Sequence, residues 1–346
     1  MTPPPNLWRR LAVLAGLIVV LAALHLAPAA IAAGAPRCAG SDLVDKLARD
    51  DPVGYEALLA AAAEVPAGDH LLWRIEGENG RPDSFLFGTI HYSDDRATDL
   101  SAAVRSALAG ARAVALELAG VPQPGELQAA LRDNPELVAM PADKSLFDLL
   151  APAAAAALKQ KLTASGVDPD QAARLKPWFV TILLGTPECE RRRQAAGALP
   201  VDGVIIEIAG ASDTPVVGLE TLAEQLAIMA SLPLDAQAAQ LAHLVTAAER
   251  PEDRYETVLR LYLDRRIGMM FPLMELQSRK DAELGKAVRH MTETLVARRN
   301  ATMIERALPL IEDGGVVIAV GSLHLPGPQG LVELLRARGY KVSPAD

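Results

Sequence analysis

The amino-acid sequence predicts an α/β fold with a mixed central sheet, built from two βαβ-type halves and flanked by helices with Ala-rich helical insertions. Short apolar runs typical of strands alternate with longer helical stretches, which is the pattern of such sheets. A turn at residues 78–80 joins two of these runs and predicts an antiparallel hairpin. Two runs end in the tetrad Gly-x-x-His, at residues 88–91 and 321–324.

The first half is predicted to contain two helices, the hairpin and one βαβ unit. Ser41 is a suitable N-cap residue for the first helix, and a second helix is expected at 54–64. The other expected elements, in chain order, are strands at 71–76 and 84–87, a helix at 100–109 and a strand at 113–118.

Each half is predicted to contain one Ala-rich helical insertion. The first spans 123–193 and is interrupted by Pro135, Pro141, Pro152 and Pro177, and the second spans 222–307 and breaks at Pro233 and Pro251. The remaining expected elements are a helix at 201–209, strands at 214–217 and 316–320, a helix at 330–338 that Gly339 ends, and a strand at 340–342.

Residues 1–33 have the pattern of a secretory signal peptide. Arg9 and Arg10 form a basic start, residues 11–26 are apolar, and 30–32 (Ala-Ile-Ala) offer a small-x-small cleavage site. This predicts export to the periplasm or the extracellular space, with one domain at 38–346. The alternative is an uncleaved leader that anchors the chain in the inner membrane, and membrane contact is expected only in that case.

Composition argues against one class of partner and predicts one covalent link. The formal net charge is −9, and the one basic run after the leader, 191–193, lies at a helix end, where arginines usually face solvent. A chain with this charge is a poor nucleic-acid binder. The two cysteines, Cys38 and Cys189, predict one disulfide in an exported protein, the alternative being a thiol nucleophile or a metal pair.

The two tetrads place His91 and His324 at the carboxyl ends of strands, where ligands bind in open α/β sheets. Each glycine is expected to let the backbone turn sharply after its strand. If the fold brings the two histidines together, they suit a divalent metal or acid–base chemistry. The loop after His91 offers Asp94 and Asp95 as carboxylates that would hydrogen-bond its ring, the alternative being a helix cap.

Acidic residues also follow strands. Glu117 stands in an apolar run, where a buried carboxylate is costly unless it is paired or binds a metal. Glu220 follows a predicted strand, although an acid there also suits a helix start. Arg299 and Asn300 precede the last βαβ unit and would orient a carbonyl or carboxylate, unless they belong to an exposed face.

The patterns HExxH, CxxC, GxSxG and the P-loop are absent from the sequence. Their absence disfavours the corresponding zincin, redox, serine hydrolase and NTPase classes.

Together these segments resemble the TraB/PrgY/GumN family, whose animal relatives are the Tiki membrane proteases. The resemblance covers nearly all of the chain after the leader and rests on six ordered segments, at 72–75, 87–91, 116–118, 218–225, 299–303 and 320–327. The surroundings of Cys38 and Cys189 are similar to the exported GumN-type branch, which supports the disulfide.

The resemblance implies a fold similar to the erythromycin esterase and ChaN-like proteins, with a metal-dependent hydrolase site. The implied metal ligands are His91, His324 and Glu117, and the implied catalytic residues are Glu117, Glu220, Arg299 and Asn300. The expected function is an exported, peptidase-like hydrolase that uses a divalent Mn, Co or Zn ion on a peptide or small-molecule substrate.

Two alternatives come from other classes of protein. The same pocket would suit a periplasmic binding protein that captures a peptide signal or haem without turnover, and such a protein has no need of Glu117. The family name also implies an accessory role in extracellular polysaccharide production. Aromatic residues make up only 4% of the chain, and no ladder of aromatic platforms for sugar binding is visible.

Overall fold

The computed structural model describes residues 38–346, so the leader predicted at 1–33 lies outside the described residues. Six strands form one sheet: β1 (Leu72–Ile75), β2 (Ser84–Thr89), β3 (Ala113–Leu116), β4 (Val216–Gly218), β5 (Val316–Gly321) and β6 (Val342–Pro344). Within 38–346 no helix has the length and apolarity needed to cross a bilayer.

The α-helices of the described residues flank this sheet or form the two insertions. They are α1 (Leu43–Asp50), α2 (Pro52–Ala63), α3 (Asp95–Thr98), α4 (Ala102–Ala109), α5 (Pro124–Asp133), α6 (Pro152–Ala164), α7 (Pro169–Ala172), α8 (Pro177–Gly185), α9 (Glu188–Ala195), α10 (Val201–Ala211), α11 (Leu222–Ala230), α12 (Leu234–Thr246), α13 (Pro251–Leu263), α14 (Met270–Ser278), α15 (Ala282–Met291), α16 (Arg298–Asp313) and α17 (Leu331–Ala337). A π-helical segment, Thr292–Ala297, joins α15 to α16.

The strand order is β4-β3-β5-β2-β1-β6. Strands β2, β5, β3 and β4 run parallel to one another, whereas β1 is antiparallel to both β2 and β6. The sheet is therefore mixed, as predicted, and the β1–β2 hairpin is confirmed. The two predicted halves are interleaved, since β5 from the second half lies between β3 and β2 from the first. The central strands β3 and β5 are buried almost throughout, because helices cover both faces.

Several helices begin where the sequence places a proline or a capping residue. Pro152, Pro177 and Pro251 each occupy the first turn of a helix, where a missing N–H costs nothing. Thr221 and Glu224 form a capping box that starts α11 just after the sheet edge. At these three prolines the predicted breaks in the helical regions are thus helix starts.

Some predicted boundaries are wrong. Asp42, not Ser41, caps α1, because its carboxylate accepts a hydrogen bond from the Val44 amide. The last strand begins at Val342, two residues later than predicted, where it pairs with β1. Helix α16 continues through Pro309 to Asp313 and stops at Gly314, whose φ of 75° a residue with a Cβ rarely adopts.

Two apolar cores support this architecture. One surrounds the sheet, and the other lies in the insertion, among α5, α6, α8, α11 and α12, with Leu158, Leu162 and Leu241 fully buried. The predicted disulfide between Cys38 and Cys189 is present and ties the segment before α1 to α9.

Candidate active site

The carboxyl ends of four parallel strands meet at one edge of the sheet. Strands β2 and β5 end in register at Thr89 and Gly321, and β3 and β4 run parallel beside β5. The predicted residues follow these ends by one to three positions: His91 after β2, Glu117 after β3, Glu220 after β4 and His324 after β5. The sheet thereby brings together side chains that lie far apart in the chain.

Gly321 marks the point where three of these side chains converge. A Cβ at this position would lie 3.1 Å from Glu117 Oε1, 3.6 Å from His324 Cδ2 and 3.7 Å from His91 Nε2. The backbone there has φ −49° and ψ 134°, which any residue adopts. The chain turns into a 3-10 helix at Ser322 without needing the conformational freedom of glycine, and a side chain at Gly321 would crowd the site residues. Gly88 is packed closely as well, since its Cβ would come within 3.1 Å of Ser322 Cα.

His91 is anchored by Asp202, in the first turn of α10. Its Nδ1 lies 2.8 Å from Asp202 Oδ2, while Thr89 Oγ1 donates to Oδ1 of the same carboxylate at 2.8 Å. An Nδ1–H that donates to Asp202 leaves Nε2 facing the site. The His91 side chain is 64% exposed, and desolvation, the largest influence on its pKa, works to lower it. Against this desolvation, Asp202 and then Glu117 hold the pKa of His91 above its ordinary value.

His324 is buried and oriented by Asn300. Its Nδ1 lies 2.6 Å from Asn300 Oδ1, and the Asn300 amide nitrogen donates to the carbonyls of His324 and Gln329. Since that nitrogen is committed to two acceptors, Asn300 Oδ1 accepts, and His324 Nδ1 carries the proton. Nε2 is then free and lies 3.6 Å from Glu117 Oε1. Desolvation lowers the pKa of His324 to about 4, so the ring is neutral at pH 7.

Glu117 is a buried carboxylate with two different surroundings. Its Oε1 accepts from the Gly321 amide at 2.8 Å and faces the histidines, while Oε2 receives Arg299 Nη2 and Gln225 Nε2. Desolvation opposes ionisation, but the charges of His324, Arg299 and His91 lower the pKa of Glu117 to about 2. Because His324 is neutral at pH 7, Arg299 and His91 are the charges that keep Glu117 ionised there.

Arg299 holds the two predicted glutamates together. Its Nε donates to Glu220 at 3.0 Å, and its Nη2 contacts Glu117 at 2.5 Å and Glu220 at 2.6 Å. Nη1 faces the Leu295 carbonyl, so all three nitrogens already meet protein acceptors. Both glutamates and Arg299 are at most 14% exposed. Arg299 therefore positions the two carboxylates, and each of its three side-chain nitrogens already has a protein acceptor.

Asp202 is the site residue that the sequence reasoning missed. The predicted partners of His91 were Asp94 and Asp95, but Asp94 caps α3 and pairs with Arg96 and Arg193. An acid in the first turn of a helix, as Asp202 is, looks like a favourable dipole interaction, so no sequence signal separated it from other helix starts. The expectation for 191–193 is also partly wrong, since the side chain of Arg193 is only 3% exposed.

The donors present suit a divalent ion by type and orientation. Two imidazoles have Nδ1 held by an acceptor and Nε2 facing the site, the usual orientation of metal-binding histidines, and a carboxylate oxygen lies beside them. The 3.6 Å from His324 Nε2 to Glu117 Oε1 is close to the roughly 3.4 Å between two ligands of a tetrahedral ion. Within 38–346, however, no group of three or more His, Cys, Asp or Glu side chains has the geometry to hold a metal ion as it stands.

Searches among curated proteins and among solved structures returned no match. Residues 71–344 match the sequence model of the TraB/PrgY/gumN family. The matched region begins one residue before β1 and ends with β6, so it spans the whole sheet and every residue of the candidate site. The chain therefore belongs to the TraB/PrgY/gumN family.

Proposed function

We propose that this protein is an exported metal-dependent hydrolase that acts on peptide or amide bonds. The two imidazoles, each anchored at Nδ1 and both lying next to Gly321 together with Glu117, support the proposal most directly. The resemblance to the Tiki proteases suggests the substrate class. A disulfide between Cys38 and Cys189 is consistent with an oxidising compartment, and so with export.

His91, His324 and Glu117 Oε1 would hold the ion, which supplies a bound water with a pKa lowered toward about 7 and polarises the scissile carbonyl. Asp202 and Asn300 keep the two rings in the tautomer that leaves Nε2 available. His91 is the most exposed of the five residues, so the substrate approaches on its side. His324 and Glu117 lie below it, where little water reaches them.

Glu117 and Glu220 have different roles in this scheme. Oε1 of Glu117 is the carboxylate oxygen that faces the histidines, and it either binds the ion or accepts a proton from the attacking water. Glu220 binds the same Arg299 as Glu117 and thereby fixes the orientation of the arginine. Arg299 was expected to orient a carbonyl or carboxylate of the substrate, but its contacts favour a role in positioning the two glutamates.

The position of this site at the carboxyl ends of a six-stranded mixed sheet also supports the implied likeness to the erythromycin esterase and ChaN-like folds. The net charge of −9 supports a peptide or small molecule rather than a nucleic acid as substrate.

Metal content tests the proposal. The oxidised protein is loaded with Mn²⁺, Co²⁺ or Zn²⁺, dialysed and measured by elemental analysis, next to the double variant His91→Ala, His324→Ala. The matched control is His243→Ala, His290→Ala, which removes two histidines from α12 and α15, outside the site. We expect near-stoichiometric metal in the wild type and the control, and at least a tenfold loss in the site variant.

A peptide library read by mass spectrometry then tests turnover, with Glu117→Gln as the inactive comparison. Cleavage that depends on Glu117 supports the hydrolase. Metal that binds equally well without the two histidines overturns the proposed ligand set. Absence of metal from the loaded wild type overturns the mechanism and favours capture of a ligand without turnover.

A further inference from the structure

The loop that follows His91 is gripped by a buried carboxylate from α9. Glu190, which has no exposed surface, accepts from the Ser93 amide at 2.7 Å and from Ser93 Oγ at 2.9 Å. Its other oxygen accepts from Tyr255 Oη at 3.0 Å. Ser93 is only two residues beyond His91, so the contact restrains the backbone that carries the ring.

The next residue of the loop is gripped as well. Arg193, also on α9, donates to Asp94 Oδ2 at 2.8 Å, and Asp94 caps the short helix α3. Desolvation opposes the charge on Asp94, but Arg96 and Arg193 hold the pKa of that carboxyl well below its usual range. Burying charges is costly, so a buried cluster of this kind holds its members in one arrangement only while every partner stays in place.

The disulfide holds α9 against the elements that complete this cluster. Cys189 immediately precedes Glu190, and Cys38 lies in the segment before α1. That segment is attached to α13, because the Ser41 amide donates to Asp253 Oδ1 and Arg250 donates to the Ala39 carbonyl. Helix α13 also carries Tyr255, which contacts Glu190. The disulfide therefore joins α9 covalently to the segment before α1, and hydrogen bonds join that segment to α13.

The other half of the site is held independently. His324 and Asn300 are fixed by contacts within the segment 300–329, and within 38–346 no hydrogen bond or ion pair joins them to α9. Losing the grip of α9 should therefore affect one histidine and spare the other.

We propose that Glu190 and Arg193 are positioning residues for His91, and that the Cys38–Cys189 disulfide keeps them in place. Reduction by a dithiol breaks the S–S bond: two electrons and two protons pass to the cysteines, giving two thiols, and the dithiol becomes a disulfide. Half-buried Cys189 offers the more accessible sulfur, since Cys38 is 5% exposed. The loop after His91 then loosens while His324 stays in place. Any effect of disulfide reduction on catalysis rests on the proposed function, but the positioning of His91 does not.

Hydrogen–deuterium exchange tests the positioning without any assay of activity. The readout is the Ser93 amide, in a peptide covering 91–96, compared with a peptide covering 320–326. In the variant Cys38→Ser, Cys189→Ser, and in wild type reduced with dithiothreitol, we expect the first peptide to exchange at least tenfold faster and the second to change less than twofold.

Two comparisons separate positioning from general loss of stability. Leu158→Ala removes a fully buried side chain of the second core, which includes no residue of α9, and lowers global stability. It should not accelerate Ser93 selectively. Glu190→Gln keeps an acceptor for the Ser93 amide and should keep its protection, whereas Glu190→Leu should lose it.

The position of His91 itself is read from the ¹⁵N chemical shifts of its ring, which should move in the disulfide variant and in Glu190→Leu while those of His324 stay constant. Equal acceleration of both peptides, or an unchanged Ser93 amide after reduction, overturns the inference. If the wild type binds no metal but the Ser93 amide still exchanges selectively faster after reduction, the proposed function is rejected. The inference that Glu190 and Arg193 position His91 then remains.

Discussion

Replacing Arg299 by methionine should destabilise the protein far more than an ordinary loss of an ion pair. The change removes the cation between Glu117 and Glu220, whose side chains are only 8% and 5% exposed. Removing one partner of a buried ion pair typically costs about 3–5 kcal/mol, because it leaves an uncompensated charge. Arg299 is, after His324, among the groups whose charges lower the pKa of Glu117 against the effect of desolvation.

The pH dependence gives this prediction its sign. The folded-state pKa of Glu117 in the wild type is lowered, so its stabilisation is present above about pH 4.5 and is lost as the pH falls toward 2. The contribution of Glu117 to the stability of the wild type is therefore constant between pH 8 and pH 6.5. In Arg299→Met the two carboxylates Glu117 and Glu220 lose the cation between them, so the folded state binds a proton that the unfolded state does not. The free energy of unfolding of the variant should therefore rise by up to about 2 kcal/mol as the pH falls from 8 to 6.5.

Urea unfolding followed by tryptophan fluorescence at pH 8 and pH 6.5 measures both effects. The matched control is Arg298→Met, one residue earlier, whose pair with Glu293 is more than 60% exposed on both sides and should be worth about 0–1 kcal/mol. A cost below about 1 kcal/mol for Arg299→Met, or a deficit that does not shrink at pH 6.5, would refute the account of Arg299 as the cation of a buried carboxylate pair.

Three further outcomes are expected. Gly321→Ala fills the point of convergence and should weaken metal loading at least tenfold while changing the free energy of unfolding by about 1 kcal/mol or less, whereas Gly210→Ala, which meets no neighbour, should leave loading unchanged. His324 has a depressed pKa of about 4, so the free energy of unfolding of the wild type should fall as the pH is lowered from 6.5 to 4. His324→Asn should flatten this dependence on pH, and parallel curves for the variant and the wild type would contradict it. Replacing Cys38 and Cys189 by serine should cost roughly 2–5 kcal/mol in urea unfolding, and an unchanged midpoint would contradict a stabilising role.

Local patterns were sufficient for much of the fold. Apolar runs and turn residues predicted the six strands to within a few residues, since alternation and chain reversal are decided by neighbours in sequence. The same reasoning placed His91 and Glu117 directly after strands. It erred at boundaries such as Asp42 and Val342. Capping geometry selected Asp42 over the equally suitable Ser41, and pairing with β1 selected Val342 as the start of the last strand.

The partners of these residues were beyond the reach of such patterns. Asp202 meets His91 across 111 positions, and Arg299 meets Glu117 across 182. Arg193 looked like a solvent-facing helix residue and is buried against Asp94. Hydrophobic periodicity reports which face of an element is buried, but it carries no information about which charged group lies opposite.

The sequence by itself determined the family, the α/β class, the cysteine pair and the residues that end the parallel strands. Only the tertiary structure decided that β5 inserts between β3 and β2, and this order is what brings both tetrads and Glu117 to one point at Gly321. It also decided that the imidazoles are anchored at Nδ1 and that Arg299 is committed to carboxylates. The physical reason is that strand propensity arises from local sterics and burial, whereas strand order and the pairing of buried charges are selected by the free energy of the whole packed chain.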